Sequence, residues 1–189
     1  MILDIFKTSI FKTYIHNQDY YNYFINELNN SFIKNEGKIR SNAGGFQTYN
    51  FNNDKIFYEL FSEPTIAFLN FFKMKKKFKL TNFVYWINKN SFGNYNKPHY
   101  HESNCISGVY YLEVPEKSGA LVFQNGDNLK WNLNLFHTFD DNNFYSSYII
   151  NPKKFDLILF FSETIHYVEP NLSNQDRISV AFNIYIENE

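Results

Sequence analysis

The stretch RISVAFNIYI, residues 177–186, alternates in side-chain character along its whole length. Successive side chains of a β-strand point to opposite faces, so this pattern predicts a long strand with two different faces. One face is apolar and must be packed, and helices from the first half of the chain are its expected cover. The other face is then either the interior of a sandwich or barrel, or open to solvent. The apolar face carries Ile178, Val180, Phe182, Ile184 and Ile186, and the other face carries Arg177, Ser179, Ala181, Asn183 and Tyr185.

Upstream of this strand, the chain from Thr81 onward resembles a series of short strands. The segments are rich in β-branched and aromatic residues, and turn signals such as PEKSG at 115–119 separate them. Many short strands without helices between them predict an all-β core of the sandwich or barrel type. The predicted strands are residues 83–88, 107–114, 120–124, 145–150, 155–161, 165–169 and 177–186.

The first half of the chain predicts two helices that flank this core. In residues 19–35, apolar side chains recur at steps of three and four, and Gly37 follows as a stop. Residues 63–77 predict the second helix, with Ser62 as its cap and Pro64 in its first turn. We expect one domain over residues 1–189, with a helical part over about 1–80 and a β core over about 81–187.

The composition is that of a globular protein, and it excludes several classes of function. Of the 189 residues, 44% are hydrophobic and 21% are aromatic, which is too many for a disordered chain. A formal net charge of -1 offers no field that would attract nucleic acid or an anionic membrane. The single cysteine, Cys105, excludes an internal disulfide and a cysteine-based metal cage. No apolar run approaches the roughly 20 residues of a membrane span, and a cytoplasmic location is expected.

Three of the five histidines are candidates for a metal site. His99 and His101 are two residues apart, which would place both imidazoles on one face of a strand. His166 follows an apolar predicted strand across a short turn, where a ligand at the mouth of a barrel often lies. The spacing alone leaves a structural role open, because a partly buried histidine is often bonded to a backbone carbonyl. We expect His16 and His137 to lie elsewhere.

Arg177 and Ser179 share the polar face of the last strand. The planar guanidinium offers a fork of donors that matches a carboxylate, and the serine adds a hydroxyl donor. If that face lies in the interior, the pair predicts a carboxylate clamp. If the face is exposed, Arg177 is an ordinary surface arginine.

Taken together, these features resemble the iron(II)- and 2-oxoglutarate-dependent oxygenases. His166, then ten residues, then Arg-x-Ser at 177–179 is the order found in the C-terminal half of that superfamily. Over about residues 40–185, the chain is also similar to a small family of such oxygenases with a His-x-His proximal motif, common in marine bacteria and their viruses. This similarity is carried by SNAGGF at 41–46, WIN at 86–88, Gly93 with Asn96, HYH at 99–101, SGVYY at 107–111, RIS at 177–179 and FN at 182–183. YYL at 110–112 followed by SGALVF at 118–123 resembles the strand–turn–strand that follows the proximal motif in the wider superfamily.

The resemblance implies a double-stranded β-helix, or jelly roll, that uses Fe(II) and the cosubstrate 2-oxoglutarate. It implies Arg177 and Ser179 as the anchor of the distal carboxylate of 2-oxoglutarate, with Tyr111 as a third contact. The implied iron ligands are His99, His101 and His166.

The chain departs from the superfamily at one of these ligands. The usual proximal motif is His-x-Asp or His-x-Glu, whereas His101 occupies the second position here. Glu102 is adjacent, but in a strand it would face away from His99 and His101. The implied triad is therefore three neutral imidazoles in place of two histidines and a carboxylate, which leaves the iron site one charge more positive.

The activity implied by the resemblance is hydroxylation of a substrate C–H bond, with release of succinate and CO2. We expect a small-molecule or peptide substrate and no nucleic-acid or membrane partner. Two other interpretations stay open: a non-enzymatic jelly-roll binding module with structural histidines, and a three-histidine dioxygenase of the cupin type that does not use 2-oxoglutarate. The second leaves the Arg-x-Ser pair unexplained, and the sequence identifies neither the substrate nor the oligomeric state.

Overall fold

The computed structural model describes residues 8–72, 77–102, 105–125 and 146–188. Within these residues the core is built from antiparallel strands, as predicted. In chain order the strands are β1 (Ile10–Tyr14), β2 (Asn42–Ala43), β3 (Phe46–Gln47), β4 (Phe78–Asn90), β5 (Tyr95–His99), β6 (Cys105–Glu113), β7 (Leu121–Gln124), β8 (Ser147–Ile150), β9 (Asp156–Phe161), β10 (His166–Val168) and β11 (Arg177–Asn188).

These strands form two sheets. The larger sheet has the order β1-β9-β6-β11-β4-β3, and the smaller has the order β2-β5-β10-β7-β8. Strand β11 lies inside the larger sheet, where it pairs with β4 on one side and β6 on the other. Its two faces therefore decide what lies on either side of the sheet.

The apolar face of β11 packs under the helices, as predicted. Val180, Phe182 and Ile184 are buried in one core with side chains of the helical segments. The ring of Phe182 stacks on Phe61, with 4.4 Å between their centroids. A smaller core fills the opposite side of the sheet, with Tyr111, Leu121, Phe123, Ile158 and Phe160 as its buried members.

The first predicted helix is present as α1 (Gln18–Ile33), but Gly37 is not its stop. The chain leaves the helix at Asn35, which has a φ of 55°. The N–H of Glu36 then donates to the carbonyl of Ser31 at 2.9 Å, which closes a Schellman motif. Asparagine tolerates this left-handed conformation, so the helix ends before the glycine is reached.

The second helix begins earlier than predicted, and Ser62 is not its cap. A continuous helical segment runs through α2 (Asp54–Ile56), a π-helical turn (Phe57–Phe61) and α3 (Ser62–Phe71). The side chain of Asn53 caps its start by accepting the N–H of Ile56. Pro64 therefore lies inside the segment, directly after the wider π turn. The predicted helix extends to residue 77, and residues 73–76 lie outside the described residues.

Several strands were missing from the sequence prediction. Strand β1 lies in the part expected to be helical, and it pairs along its length with β9 at the edge of the larger sheet. Strand β5 and the short β2 and β3 were also not predicted. Strand β8 begins at Ser147, and Tyr145, the first residue of the strand predicted there, lies outside the described residues. In the described ranges, no helix combines the length and the apolar character that crossing a membrane requires.

Gly108 tests the packing between the larger sheet and the helices. A methyl group at Gly108 would overlap the ring of Phe182 and lie 2.8 Å from Leu159. Gly108→Ala is therefore expected to destabilise the fold by about 1–3 kcal/mol. Phe182→Leu removes the overlapped ring atoms, so the double variant should cost less than the sum of the two single changes. Urea unfolding of the parent protein, the two single variants and the double variant measures this coupling. If the losses in unfolding free energy of the two single variants simply add in the double variant, the predicted contact is contradicted.

Candidate functional site

The two sheets enclose a cavity of about 740 Å³. The polar face of β11 lines it, so this face points inward and not to solvent. Side chains from β4 and β6 complete the wall of the larger sheet, and β5 and β10 contribute the opposing wall. The predicted residues found in this lining are His99, His101, Tyr111, His166, Arg177 and Ser179.

The structure brings the three candidate histidines together. His99 and His166 are direct partners across the β5–β10 pair. His101 lies beyond the end of β5, where its backbone N–H donates to the carbonyl of Ser162 at 2.8 Å. One ring nitrogen from each histidine lies within 4.8 Å of the other two. Two nitrogens that each lie about 2.1 Å from one metal ion are at most about 4.2 Å apart, so metal binding would draw the rings inward.

Hydrogen bonds at Nδ1 determine which nitrogen of each ring is available. A carbonyl oxygen only accepts, so a ring nitrogen bonded to one carries the proton and leaves Nε2 with its lone pair. All three rings have such an oxygen acceptor at Nδ1, which is the arrangement that usually orients metal-binding imidazoles. The acceptors are Lys97 O for His99 at 2.7 Å, Asn183 Oδ1 for His101 at 2.7 Å and Thr164 O for His166 at 2.8 Å.

Burial keeps the three rings neutral. It lowers the pKa of His99 and of His101 below the usual value. The pKa of His166 falls to about 3, because of its burial and then the neighbouring His99. Neutral imidazole is the form that binds a metal ion, so the cluster needs no deprotonation at neutral pH.

The sequence interpretation missed the polar network behind His101. Ser107 Oγ donates to Asn183 Oδ1 at 2.8 Å, and it lies 2.8 Å from Ser162 Oγ. The position of Asn183 on the inward face of β11 was the signal that could have identified it. Among the described residues no carboxylate joins the cluster, and Glu102 is exposed.

Arg177 is almost completely buried, with 2% of its surface exposed. Its Nη1 donates to the carbonyls of Ser118 and Glu169. Its Nη2 has no hydrogen-bond partner. Gly119 makes this position possible, because its φ is +87° and a Cβ there would lie 2.9 Å from Nη1 of Arg177.

Tyr111 and Ser179 complete the predicted group on the larger sheet. They are direct partners in the β6–β11 pair, and Ser179 is also the partner of Asn88 on β4. Tyr111 is buried, and its hydroxyl has no hydrogen-bond partner. Burial raises the pKa of Tyr111, so it stays a protonated donor.

The unpartnered donors test whether a carboxylate fits here. A buried polar group without a partner costs about 1–3 kcal/mol. Arg177 Nη2 and the Tyr111 hydroxyl are both donor groups, and both belong to residues that line the cavity. A carboxylate would satisfy both, so the donor set fits the distal end of 2-oxoglutarate. Asn88 Oδ1 and Asn90 Nδ2 are also buried without partners, which the sequence pattern did not predict.

The remaining histidines are not part of this group. His16 is exposed, and its ring lies against Phe155 with 4.8 Å between centroids. His137 lies outside the described residues.

Solved structures with a similar fold include two prolyl hydroxylases and a protein with 2-oxoglutarate and nickel bound. A prolyl-4-hydroxylase of Pseudomonas putida is 15% identical with a TM-score of 0.63, covering 94% of this chain and 92% of that one. A viral collagen prolyl hydroxylase from Paramecium Bursaria Chlorella virus-1, in complex with 2-oxoglutarate, is 18% identical with a TM-score of 0.56, covering 93% and 94%. HygX from Streptomyces hygroscopicus, with nickel, 2-oxoglutarate and hygromycin B bound, is 12% identical with a TM-score of 0.54, covering 94% and 83%.

At these identities the likeness shows the fold alone, and it confirms the predicted jelly roll. No curated protein sequence matches the chain. A family profile does match: residues 84–183 fit the family described as "Putative 2OG-Fe(II) oxygenase". The cofactors of this family are Fe(II) and 2-oxoglutarate, and the three-histidine cluster fits an iron site. With more than half of its length matched, the chain belongs to this family of 2-oxoglutarate- and Fe(II)-dependent oxygenases.

Proposed function

We propose that the protein is a dioxygenase that hydroxylates its substrate and releases succinate and CO2. One observation carries the proposal: three neutral imidazoles with free Nε2 atoms line the same cavity as two buried donors without partners. The first group suits a metal ion and the second suits a carboxylate. A molecule that joins a metal-chelating end to a distal carboxylate would engage both.

In this proposal the residues have separate tasks. The Nε2 atoms of His99, His101 and His166 hold Fe(II). Arg177 and Tyr111 donate to the distal carboxylate of 2-oxoglutarate, and Ser179 adds its hydroxyl. When bound, the iron and the cosubstrate supply the activation of O2 and the transfer of oxygen to a C–H bond.

The protein contributes orientation and exclusion of water. The ring of His166 is held against Phe160, with 4.6 Å between centroids. Nδ1 of His166 is held by the carbonyl of Thr164. These contacts leave Nε2 directed away from the backbone acceptor. Leu121 and Val168 add apolar surface to the cavity, which limits the access of bulk water to the metal position.

The same observation weighs against both alternative functions. A binding module with merely structural histidines leaves the free Nη2 of Arg177 and the free hydroxyl of Tyr111 unexplained. A three-histidine dioxygenase that does not use 2-oxoglutarate leaves the same two donors without a task.

We propose that residues 1–189 act as one domain in the cytoplasm. We further propose a small molecule or a peptide as the substrate, as in HygX with hygromycin B and in the collagen prolyl hydroxylase.

The direct test is an anaerobic titration with Fe(II) and 2-oxoglutarate. Chelation of iron by the 2-oxo acid produces a weak visible charge-transfer band, which should saturate at one equivalent of each. Iron binding without this band would reject the use of 2-oxoglutarate. No iron binding at all would reject the metal site.

Tyr111→Phe and Tyr110→Phe form a matched pair on neighbouring residues. The hydroxyl of Tyr110 donates to the carbonyl of Ile15 at 2.8 Å, whereas the hydroxyl of Tyr111 has no partner. Tyr110→Phe is expected to lower the free energy of unfolding by about 1 kcal/mol and to leave 2-oxoglutarate affinity unchanged. Tyr111→Phe is expected to leave the cosubstrate-free protein as stable or more stable and to weaken 2-oxoglutarate binding about tenfold. Thermal unfolding and calorimetric titration measure both quantities, and equal affinities in the two variants would contradict the role of Tyr111.

Arg177→Met separates cosubstrate binding from metal binding. A buried charge-assisted contact costs about 2–5 kcal/mol when one partner is truncated. We therefore expect 2-oxoglutarate affinity to fall by roughly 30-fold or more, at about 1.4 kcal/mol per tenfold, while Fe(II) binding stays nearly intact. Succinate production and Fe(II) titration measure the two effects. Succinate production equal to that of the parent protein would reject the carboxylate clamp.

His101→Ala tests the ligand at which the chain departs from its superfamily. Loss of a ligand is expected to weaken Fe(II) binding more than Asn183→Ala does, because outer-shell changes cost only about 10–100-fold. His101→Asp should retain iron, since a carboxylate oxygen reaches a metal at about 2.0–2.2 Å, close to the imidazole distance. His16→Ala is the control, and it should bind one equivalent of Fe(II) as the parent protein does. Full iron content in His101→Ala would remove His101 from the ligand set.

A further inference from the structure

We infer that the substrate carries an anionic group, a carboxylate or a phosphate, which Arg40 and Lys97 bind at the mouth of the cavity. The inference rests on the proposed function, because it concerns what approaches the loaded site. It adds a substrate class and two binding residues that the cosubstrate does not use.

The two cations come from neighbouring segments of the smaller sheet. Lys97 lies on β5 two residues before His99, and both residues belong to the lining of the cavity. Arg40 precedes β2, the strand that pairs with β5. The backbone N–H of Lys97 donates to the carbonyl of Ser41 at 2.8 Å, which joins the two segments. Both cations line the cavity and both are exposed, so they border its opening next to a candidate iron ligand.

Neither cation has a counter-ion among the residues that the structure describes. No aspartate or glutamate belongs to the described lining of the cavity. Glu102, the acidic residue nearest to His101 in sequence, is not part of that lining either. The ion pairs found in the described residues lie elsewhere: Lys12–Asp156, Lys55–Glu59, Lys89–Asp176 and Lys154–Glu113.

This local excess is not a property of the whole chain. The protein has 18 basic and 19 acidic residues, and its formal net charge is -1. The described lining of the cavity has arginine and lysine but no carboxylate, so it has an excess of positive charge that the whole chain lacks. Unpaired charges of one sign in a cleft with low-dielectric walls attract ligands of the opposite sign.

The proposed ligand set strengthens this field. Fe(II) and the 2-oxoglutarate dianion cancel each other, and three neutral imidazoles add no negative charge. Arg177 therefore stays uncompensated in the loaded site, and Arg40 and Lys97 add two more positive charges at the opening. A neutral substrate would leave all of this charge unmatched, whereas one anionic group would offset part of it.

The dimensions of the cavity also limit the substrate. Sites for small ligands usually measure about 300–1,000 Å³, and a cavity of about 740 Å³ falls within this range. After 2-oxoglutarate has entered, the remaining volume suits a small acid or a single acidic side chain of a peptide. The recognised chemistry is the same in both cases.

The test compares acidic probes with neutral partners of the same shape. The protein is first loaded with Zn(II), a redox-inert substitute for iron, and with 2-oxoglutarate, and calorimetry records both loadings. Ligand-observed NMR then measures the affinity of N-acetyl-aspartate amide against N-acetyl-asparagine amide, and of phosphoserine amide against serine amide. The peptides Gly-Gly-Asp-Gly-Gly and Gly-Gly-Asn-Gly-Gly distinguish a peptide source from a free acid.

At least one acid is expected to bind about tenfold more tightly than its neutral partner. The preference should fall below about threefold in the double variant Arg40→Gln/Lys97→Gln. It should persist in Lys79→Gln, which removes an exposed cation of β4 that does not line the cavity. It should also shrink as salt rises from 0.1 M to 1 M, because the Debye length falls from about 10 Å to about 3 Å.

Equal affinity for acidic and neutral probes, no measurable binding of either acid, or an undiminished preference in the double variant would overturn the inference. Failure of Zn(II) or 2-oxoglutarate to load would instead reject the proposed function, and with it the inference. Because loading is recorded before any probe is added, the two failures are distinguishable.

Discussion

A buried guanidinium group that the protein itself only half satisfies is the constraint on which this site depends. Nη1 of Arg177 donates to two backbone carbonyls, whereas its Nη2 has no hydrogen-bond partner. The Gly119 turn comes close to Nη1, and Tyr111 and Ser179, which are paired across β6 and β11, line the same cavity as Arg177. A buried donor without an acceptor loses its hydration, and this costs stability. In the proposed function, a carboxylate would accept a hydrogen bond from this donor and offset that cost.

The histidine cluster is electrically neutral, in contrast to the charged Arg177. Each ring is buried, neutral and held at Nδ1 by an oxygen, so its lone pair is available without loss of a proton. Behind His101, a neutral amide from Asn183 and the hydroxyl of Ser107 occupy the positions where a charged group could have stood. No negative charge enters from the described surroundings of the cluster. Arg40 and Lys97 also line this cavity, and no aspartate or glutamate belongs to its described lining.

Local patterns predicted the parts of the fold whose cause is local. The alternation in residues 177–186 predicted both faces of β11, because strand periodicity directly determines which side chains share a face. The helix boundaries were less predictable, since Asn53 and Asn35 form caps that compete with Ser62 and Gly37 as start and stop signals. Strand β1 was missed because its hydrogen bonds all go to β9, far away in sequence.

The sequence by itself determined the candidates: a two-faced last strand, three histidines, an arginine–serine pair and a tyrosine on the neighbouring strand. It could not determine that His166 would pair with His99, because strand pairing depends on the register of a whole sheet. It could not show that Asn183 would hold His101 from 82 residues away. The tertiary structure alone decided which buried donors are left without partners, because hydrogen-bond satisfaction depends on every neighbour in three dimensions, whereas periodicity depends only on the chain.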